Sequence, residues 1–192
     1  MKSSVVFWPV QGYIPPAVKH DDVAHADRMR LQFAKGWLEL GCDGEALAEL
    51  DRLGPSASLS SDALEIRFHL SVRGRRLDQA LALARQHRER FPEDIRGLMN
   101  LGNSLFWLDR PKEAIDLVLP ATRQHPSEAI LHYNLACYLL KVDEPDAAKE
   151  SLRKAIRLGD AGRIIRYALE DADLEPVWPW LRSLPKDKVS GA

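Results

Sequence analysis

The chain has 192 residues, 45% apolar and 29% charged, and its 27 Lys and Arg nearly balance 28 Asp and Glu, leaving a formal charge of −1. A chain of this size buries roughly 70% of the surface its unfolded form exposes, so the composition excludes disorder as the main state and admits one or two domains. A charge near zero excludes a global field that would draw in nucleic acid, an anionic membrane or an acidic substrate, so any partner must be recognised locally.

In chain order, Met1 to Lys19 comes first, with Val5, Val6, Phe7, Trp8, Tyr13 and Ile14 set among three prolines. Such a segment cannot form a regular helix and reads as extended. Its aromatic residues have reason to leave water, so this tail is expected to dock on the rest of the chain, over the first helical hairpin or in a groove. The apolar stretch Val5 to Val10 follows a single Lys2 and is broken by Pro9, Gln11 and Gly12, which makes a poor secretory signal. Nowhere do 18 apolar residues run together, so a membrane-spanning helix is not expected and the cytoplasm is the expected location. Next come Asp21 and Asp22, either of which would cap an opening helix. Cys42 and Cys137 are too few for a disulfide framework and match no metal-ligand spacing, so two reduced thiols are expected.

From there the sequence repeats itself every 34 residues. Ala46, Ala80, Ala114 and Ala148 form one column, and Leu50, Ala84, Val118 and Leu152 a second. Phe33, Arg67, Leu101 and Leu135 form a third, beside Ala34, Phe68, Gly102 and Ala136. The spacing within each unit is helical. Breakers and turn residues divide each unit into two helices: Gly41-Cys42-Asp43-Gly44, Gly74-Arg75-Arg76, Asp109-Arg110-Pro111 and Asp143-Glu144-Pro145. Pro111 and Pro145 fall in the first turn of a helix, where a missing N–H costs nothing. Pro120 falls inside one, where a kink or an early stop is expected because it clashes with the carbonyl of Asp116. After Gly162, Arg163 to Glu170 has a helical pattern, and Val177, Trp178, Leu181 and Leu184 indicate a short closing helix.

Leu101-Gly102, Leu105, Ala114, Val118, Ala121 and Pro126, and again Leu135-Ala136, Leu139, Ala148, Leu152 and Ala155, resemble the consensus of the tetratricopeptide repeat (TPR). Tyr133 to Tyr138, followed by Leu174 to Trp178, also resembles a group of small bacterial TPR proteins without established activity. The resemblance implies an all-α, right-handed α-α superhelix (TPR solenoid) of four helical hairpins with a C-terminal capping segment. The expected organisation is an extended tail at 1–20, four repeats at 27–60, 61–94, 95–128 and 129–162 within 21–162, a cap at 163–185 and a flexible C-terminus at 186–192. The second unit departs most from the consensus, because Arg67 and Phe68 stand where Leu and a small residue are expected.

Catalytic chemistry is sparse. No Gly-rich phosphate loop, nucleophile elbow or H-E-x-x-H pattern occurs, so no enzymatic activity, metal or cofactor is expected. His20 and His25 are five apart and do not share a helix face. His69, His87, His125 and His132 fall in different units and read as surface or packing residues. Cys137 reads as a small packing residue. The arginines from Arg73 to Arg90 read as a solvated outer face covering apolar neighbours, so a nucleic-acid partner is not expected.

The resemblance further implies that the first helix of each unit lines a concave groove. Carried onto this chain, the later half of the groove offers the amides of Asn100, Asn103 and Asn134, which suit the backbone of an extended peptide. Met99, Trp107 and Tyr133 would be apolar anchors beside them, and Arg73 and Lys141 would favour acidic ligands. The carboxylate clamp of chaperone-adaptor members is not expected, since only Arg96 and Asn100 fit it. The expected function is thus a protein–protein interaction module holding a partner peptide or helix in its groove. The alternatives are a self-assembling scaffold, with homo-oligomers meeting through groove, tail or end faces, and a secretion-type chaperone.

Overall fold

A computed structural model describes residues 24–184. The tail at 1–20 and the C-terminus at 186–192, with the expectations attached to them, lie outside the described residues, as do Asp21 and Asp22. The opening helix starts at His25 with Ala24 at its N-cap and no side chain capping it, so neither aspartate holds that position.

The chain runs α1 (His25–Leu40), α2 (Asp43–Leu50), a single turn α3 (Pro55–Ser58), α4 (Ser61–Arg73), α5 (Leu77–Arg90), α6 (Ile95–Trp107), α7 (Pro111–Gln124), α8 (Ala129–Lys141), α9 (Pro145–Leu158) and α10 (Ala161–Glu170). A 3-10 segment (Ala172–Val177) and α11 (Trp178–Arg182) follow. The described residues contain helices and no strand. They divide into two compact units, one ending at Leu108 and one starting at Asp109.

The helices start and stop for local reasons. Ser60 caps α4 by accepting from the Ala63 N–H, Asp94 caps α6 through the Arg96 N–H, and Asp160 caps α10 through the Arg163 N–H. Pro111 and Pro145 open α7 and α9. The turns between paired helices share one backbone signature. Gly41, Arg75, Asp109 and Asp143, spaced 34 apart, all have left-handed φ values, of 82°, 56°, 60° and 63°. A glycine adopts this freely, whereas a side chain is strained there. Helix α7 continues for a full turn beyond Pro120 to Gln124, so no early stop occurs. Pro120 and Asp116 are both exposed, and water can satisfy the carbonyl that the proline leaves without a partner.

In the unit ending at Leu108, α1 packs on α2, α4 on both α1 and α5, and α6 on α5. Leu31, Ala34, Ala46, Leu50, Ala63, Ile66 and Leu70 form one buried cluster, and Phe68, Val72, Ala80 and Ala84 a second. The irregular second repeat is accommodated by contacts with the first repeat and the third. Phe68 is buried and stacks on Trp107 with ring centroids 6.3 Å apart, while Arg67 reaches back to donate to the Leu50 carbonyl at 3.1 Å. In the unit starting at Asp109, α8 packs between α7 and α9, α10 packs on α9, and the 3-10 segment lies against α8. Leu174, Val177 and Leu181 are buried there, and the Trp178 indole N–H donates to the Ala168 carbonyl at 2.8 Å. The apolar side of this cap is thereby covered, as the last hairpin of a repeat array requires. Ala46, Ala80, Ala114 and Ala148 are all completely buried, which is why a small residue recurs where paired helices approach most closely.

Candidate functional site

Helices α4 and α6 lie side by side, and their facing stripes are joined rung by rung. On α4 the stripe is Asp62, Glu65, His69 and Arg73, and on α6 it is Arg96, Asn100, Asn103 and Trp107. The first rung is an ion pair, Arg96 Nη1 to Asp62 Oδ1 at 2.9 Å. The second is the Asn100 amide donating to Glu65 Oε2 at 2.6 Å, and Glu65 also meets His69 Nε2 at 2.9 Å. Burial opposes ionisation of Glu65, but the hydrogen bond from His69 and the positive charge of Arg96 outweigh it and hold the carboxyl below its usual range. Further along, Trp107 is half-buried against Phe68, and Asn103 lies one turn before it on the same face.

Behind the first rung is a buried polar clasp. Ser61 Oγ donates to Asp94 Oδ2 at 2.5 Å and accepts from Arg96 Nη2 at 2.6 Å, and His87 Nε2 lies 2.9 Å away. Arg96 Nη2 also meets Asp94 Oδ2 at 2.7 Å. Burial alone would raise the Asp94 pKa, but its bonds from His87, Arg96 and Ser61 hold it far below the ordinary carboxylate range. The same bonding raises the Arg96 pKa against its own burial.

Serine, histidine and aspartate meet here, but not as a hydrolytic triad. In a triad the carboxylate bonds one ring nitrogen and the serine the other. Here Ser61 and Asp94 both approach Nε2, while Nδ1 faces Glu65 Oε2 at 3.7 Å. Ser61 Oγ is buried and already bonded to Asp94 and Arg96, so the cluster fixes α4 and the start of α6 against α5. The clasp went unseen in the sequence, although one signal was there: Glu65 and His69 are i,i+4 on a helix and therefore share a face.

In the unit starting at Asp109, Tyr133 OH donates to Asp171 Oδ2 at 2.9 Å, and Cys137 Sγ lies 3.9 Å from the same oxygen. Asp171 Oδ1 accepts the Asp173 N–H and so starts the 3-10 segment. Burial raises the Asp171 pKa. Burial pushes Asp173 up to about 6, with the charge of Asp171 adding and that of Lys141 opposing. Burial, and then the charge of Asp171, push the Cys137 thiol well up, so it stays protonated and is a poor nucleophile. Among the described residues no group of three or more His, Cys, Asp and Glu could hold a metal ion.

The eight groove residues expected from sequence thus fall into three kinds of environment. Met99, Asn100, Tyr133 and Asn134 are buried, and Asn100 and Tyr133 bond within the fold. Asn103 and Trp107 are half-buried on the α6 face. Arg73 and Lys141 are exposed: Arg73 donates to the Leu38 carbonyl at 2.7 Å and pairs with Asp43 at 3.1 Å, and Lys141 pairs with Asp109 at 3.4 Å. The face presented to solvent is therefore narrower than the set of eight.

No protein-family profile and no curated protein matches the chain. Solved structures do. A thermophilic TPR protein from Thermus thermophilus, TTC0263, superposes with a TM-score of 0.64 at 21% identity, over 82% of this chain and 100% of that one. PilF from Pseudomonas aeruginosa matches with a TM-score of 0.66 at 25% identity, over 85% of this chain and 75% of that one. MamA from Desulfovibrio magneticus RS-1 matches with a TM-score of 0.62 at 14% identity, over 88% and 99%. The protein has an all-α fold of tetratricopeptide-repeat type. Among the described residues no helix is long and apolar enough to cross a membrane.

Proposed function

We propose that the protein is a non-enzymatic interaction module that binds an extended peptide along the α4/α6 face, with Trp107 as anchor and Asn103 bonding the peptide backbone. The observation that carries this reading is the placement of Trp107. Its ring is held from behind by stacking on buried Phe68, yet it remains part-exposed one turn from an amide. An aromatic ring already fixed in place binds with little loss of side-chain entropy, which is what a binding hot spot needs. Met99 and Asn100 form the wall beneath it. The clasp at Asp94 keeps the spacing of α4 and α6 constant, and Arg73 at the rim adds a salt-sensitive preference for acidic peptides.

A phage-displayed library of short linear peptides, selected on the full chain, tests this. Enriched peptides should lose about tenfold in affinity on Trp107→Ala and several-fold on Asn103→Ala, with helicity unchanged. If no peptide is enriched, or if enriched peptides bind both variants as tightly as the parent, the reading is wrong.

A further inference from the structure

Helix α1 carries two apolar faces. Leu31, Ala34 and Leu38 pack inward with residues of α2 and α4. Met29, Phe33, Trp37 and Leu40 follow one another at helical spacing on a different face, and they are exposed, Phe33 to 53% and Leu40 to 74%. A continuous stripe of four large apolar side chains facing water calls for an occupant.

The repeat shows what normally sits there. The positions 34 and 68 residues after Phe33 are Arg67, which reaches the Leu50 carbonyl on α2, and Leu101, which packs on the cluster holding Ala80 and Ala84 of α5. The position 68 residues after Met29 is Gly97, where an added Cβ would lie 3.0 Å from the Arg88 backbone nitrogen on α5. In the later repeats this face therefore meets the second helix of the preceding hairpin. Before α1 lie residues 1–23, whose prolines at 9, 15 and 16 forbid such a hairpin.

Those residues nonetheless hold the right chemistry within reach. Val5, Phe7, Trp8, Tyr13 and Ile14 directly precede the helix. Leu40 lies about 22 Å along the axis from His25, and the chain from Ile14 to His25 can span up to about 36 Å. A segment tethered this closely meets the stripe at an effective concentration of roughly millimolar, well above that of a second copy at micromolar protein. We propose that the apolar residues between Val5 and Ile14 lie along α1 over Met29, Phe33, Trp37 and Leu40, taking the place of the helix that a preceding repeat would supply.

Limited chymotrypsin digestion of the full native chain reads this directly, through the rate of cleavage after Phe7, Trp8 and Tyr13. The tail should resist, and Phe33→Glu, a change at an exposed position, should speed its cleavage about tenfold while the chain stays monomeric. Equal rates in the parent and Phe33→Glu overturn the proposal. So does a parent dimer that Phe33→Glu dissociates with no change in tail cleavage, which would make the occupant a second copy. Should Phe33→Glu reduce helicity, Phe7→Ser with Trp8→Ser provides the independent reading. Hydrogen exchange of the α1 amides should then accelerate several-fold, and unchanged exchange overturns the proposal.

Discussion

Replacing Asp94 by alanine removes one carboxylate with two structural duties. It caps α6 through the Arg96 N–H at 3.0 Å, and it accepts from Ser61, His87 and the Arg96 guanidinium in a site where its own side chain is 1% exposed. Loss of an N-cap costs about 1 kcal/mol. Taking one partner from a buried ion pair costs about 3–5 kcal/mol, because the other charge is left uncompensated. These contributions overlap, since Arg96 retains Asp62 and water can enter the space, so Asp94→Ala should cost about 3–5 kcal/mol in total. Asp94→Asn keeps the cap and should lose about half as much. Urea unfolding followed by circular dichroism measures the loss. Adding Arg96→Met to Asp94→Ala should recover part of it by removing the stranded guanidinium. A loss below about 1 kcal/mol, or an Arg96→Met cost that simply adds to that of Asp94→Ala, would refute the clasp as a coupled unit. The sign with pH follows from the depressed Asp94 pKa. Its contribution is present above the ordinary 3.8 and declines as pH falls below that value.

Asp173 has the opposite sign, since its pKa rises from 3.8 to about 6 in the fold. Its folded form favours the proton, so its stabilising contribution is complete below about pH 4 and is lost as pH rises through 6, an effect of at most about 3 kcal/mol before solvent screening. NMR titration should place Asp173 near 6, and Asp173→Asn should flatten the urea midpoint between pH 5 and 7; a midpoint that keeps its slope would count against the assignment. At Gly97, an added Cβ would fall 3.0–3.2 Å from the backbone of His87 and Arg88. Gly97→Ala should therefore destabilise by about 1–3 kcal/mol despite alanine's better helix propensity, and a higher melting temperature would show that the helices can part. Arg75 holds a left-handed φ of 56°. Asparagine tolerates that region better, so Arg75→Asn should stabilise by about 0.5 kcal/mol in the same unfolding assay.

By itself the sequence determined the repeating framework. The 34-residue alanine columns, the breaker residues at each turn and the prolines in the first turns of α7 and α9 specify local conformation, and local conformation depends on neighbours three or four residues away. The four left-handed turn residues lie in the breaker segments for that reason. The apolar cap after Glu170 was readable from its periodicity in the same way. Only the tertiary structure decided which groove residues face solvent. Asn100 bonds Glu65 and Tyr133 bonds Asp171, partners 35 and 38 residues away, and no local periodicity marks such pairs. The clasp joining Ser61, His87 and Asp94 likewise spans 26 and 33 residues and appears only once the packing of the apolar columns has brought those side chains together out of water. There, an unpaired polar group would cost about 1–3 kcal/mol, so side chains that the sequence leaves open to solvent bond one another instead.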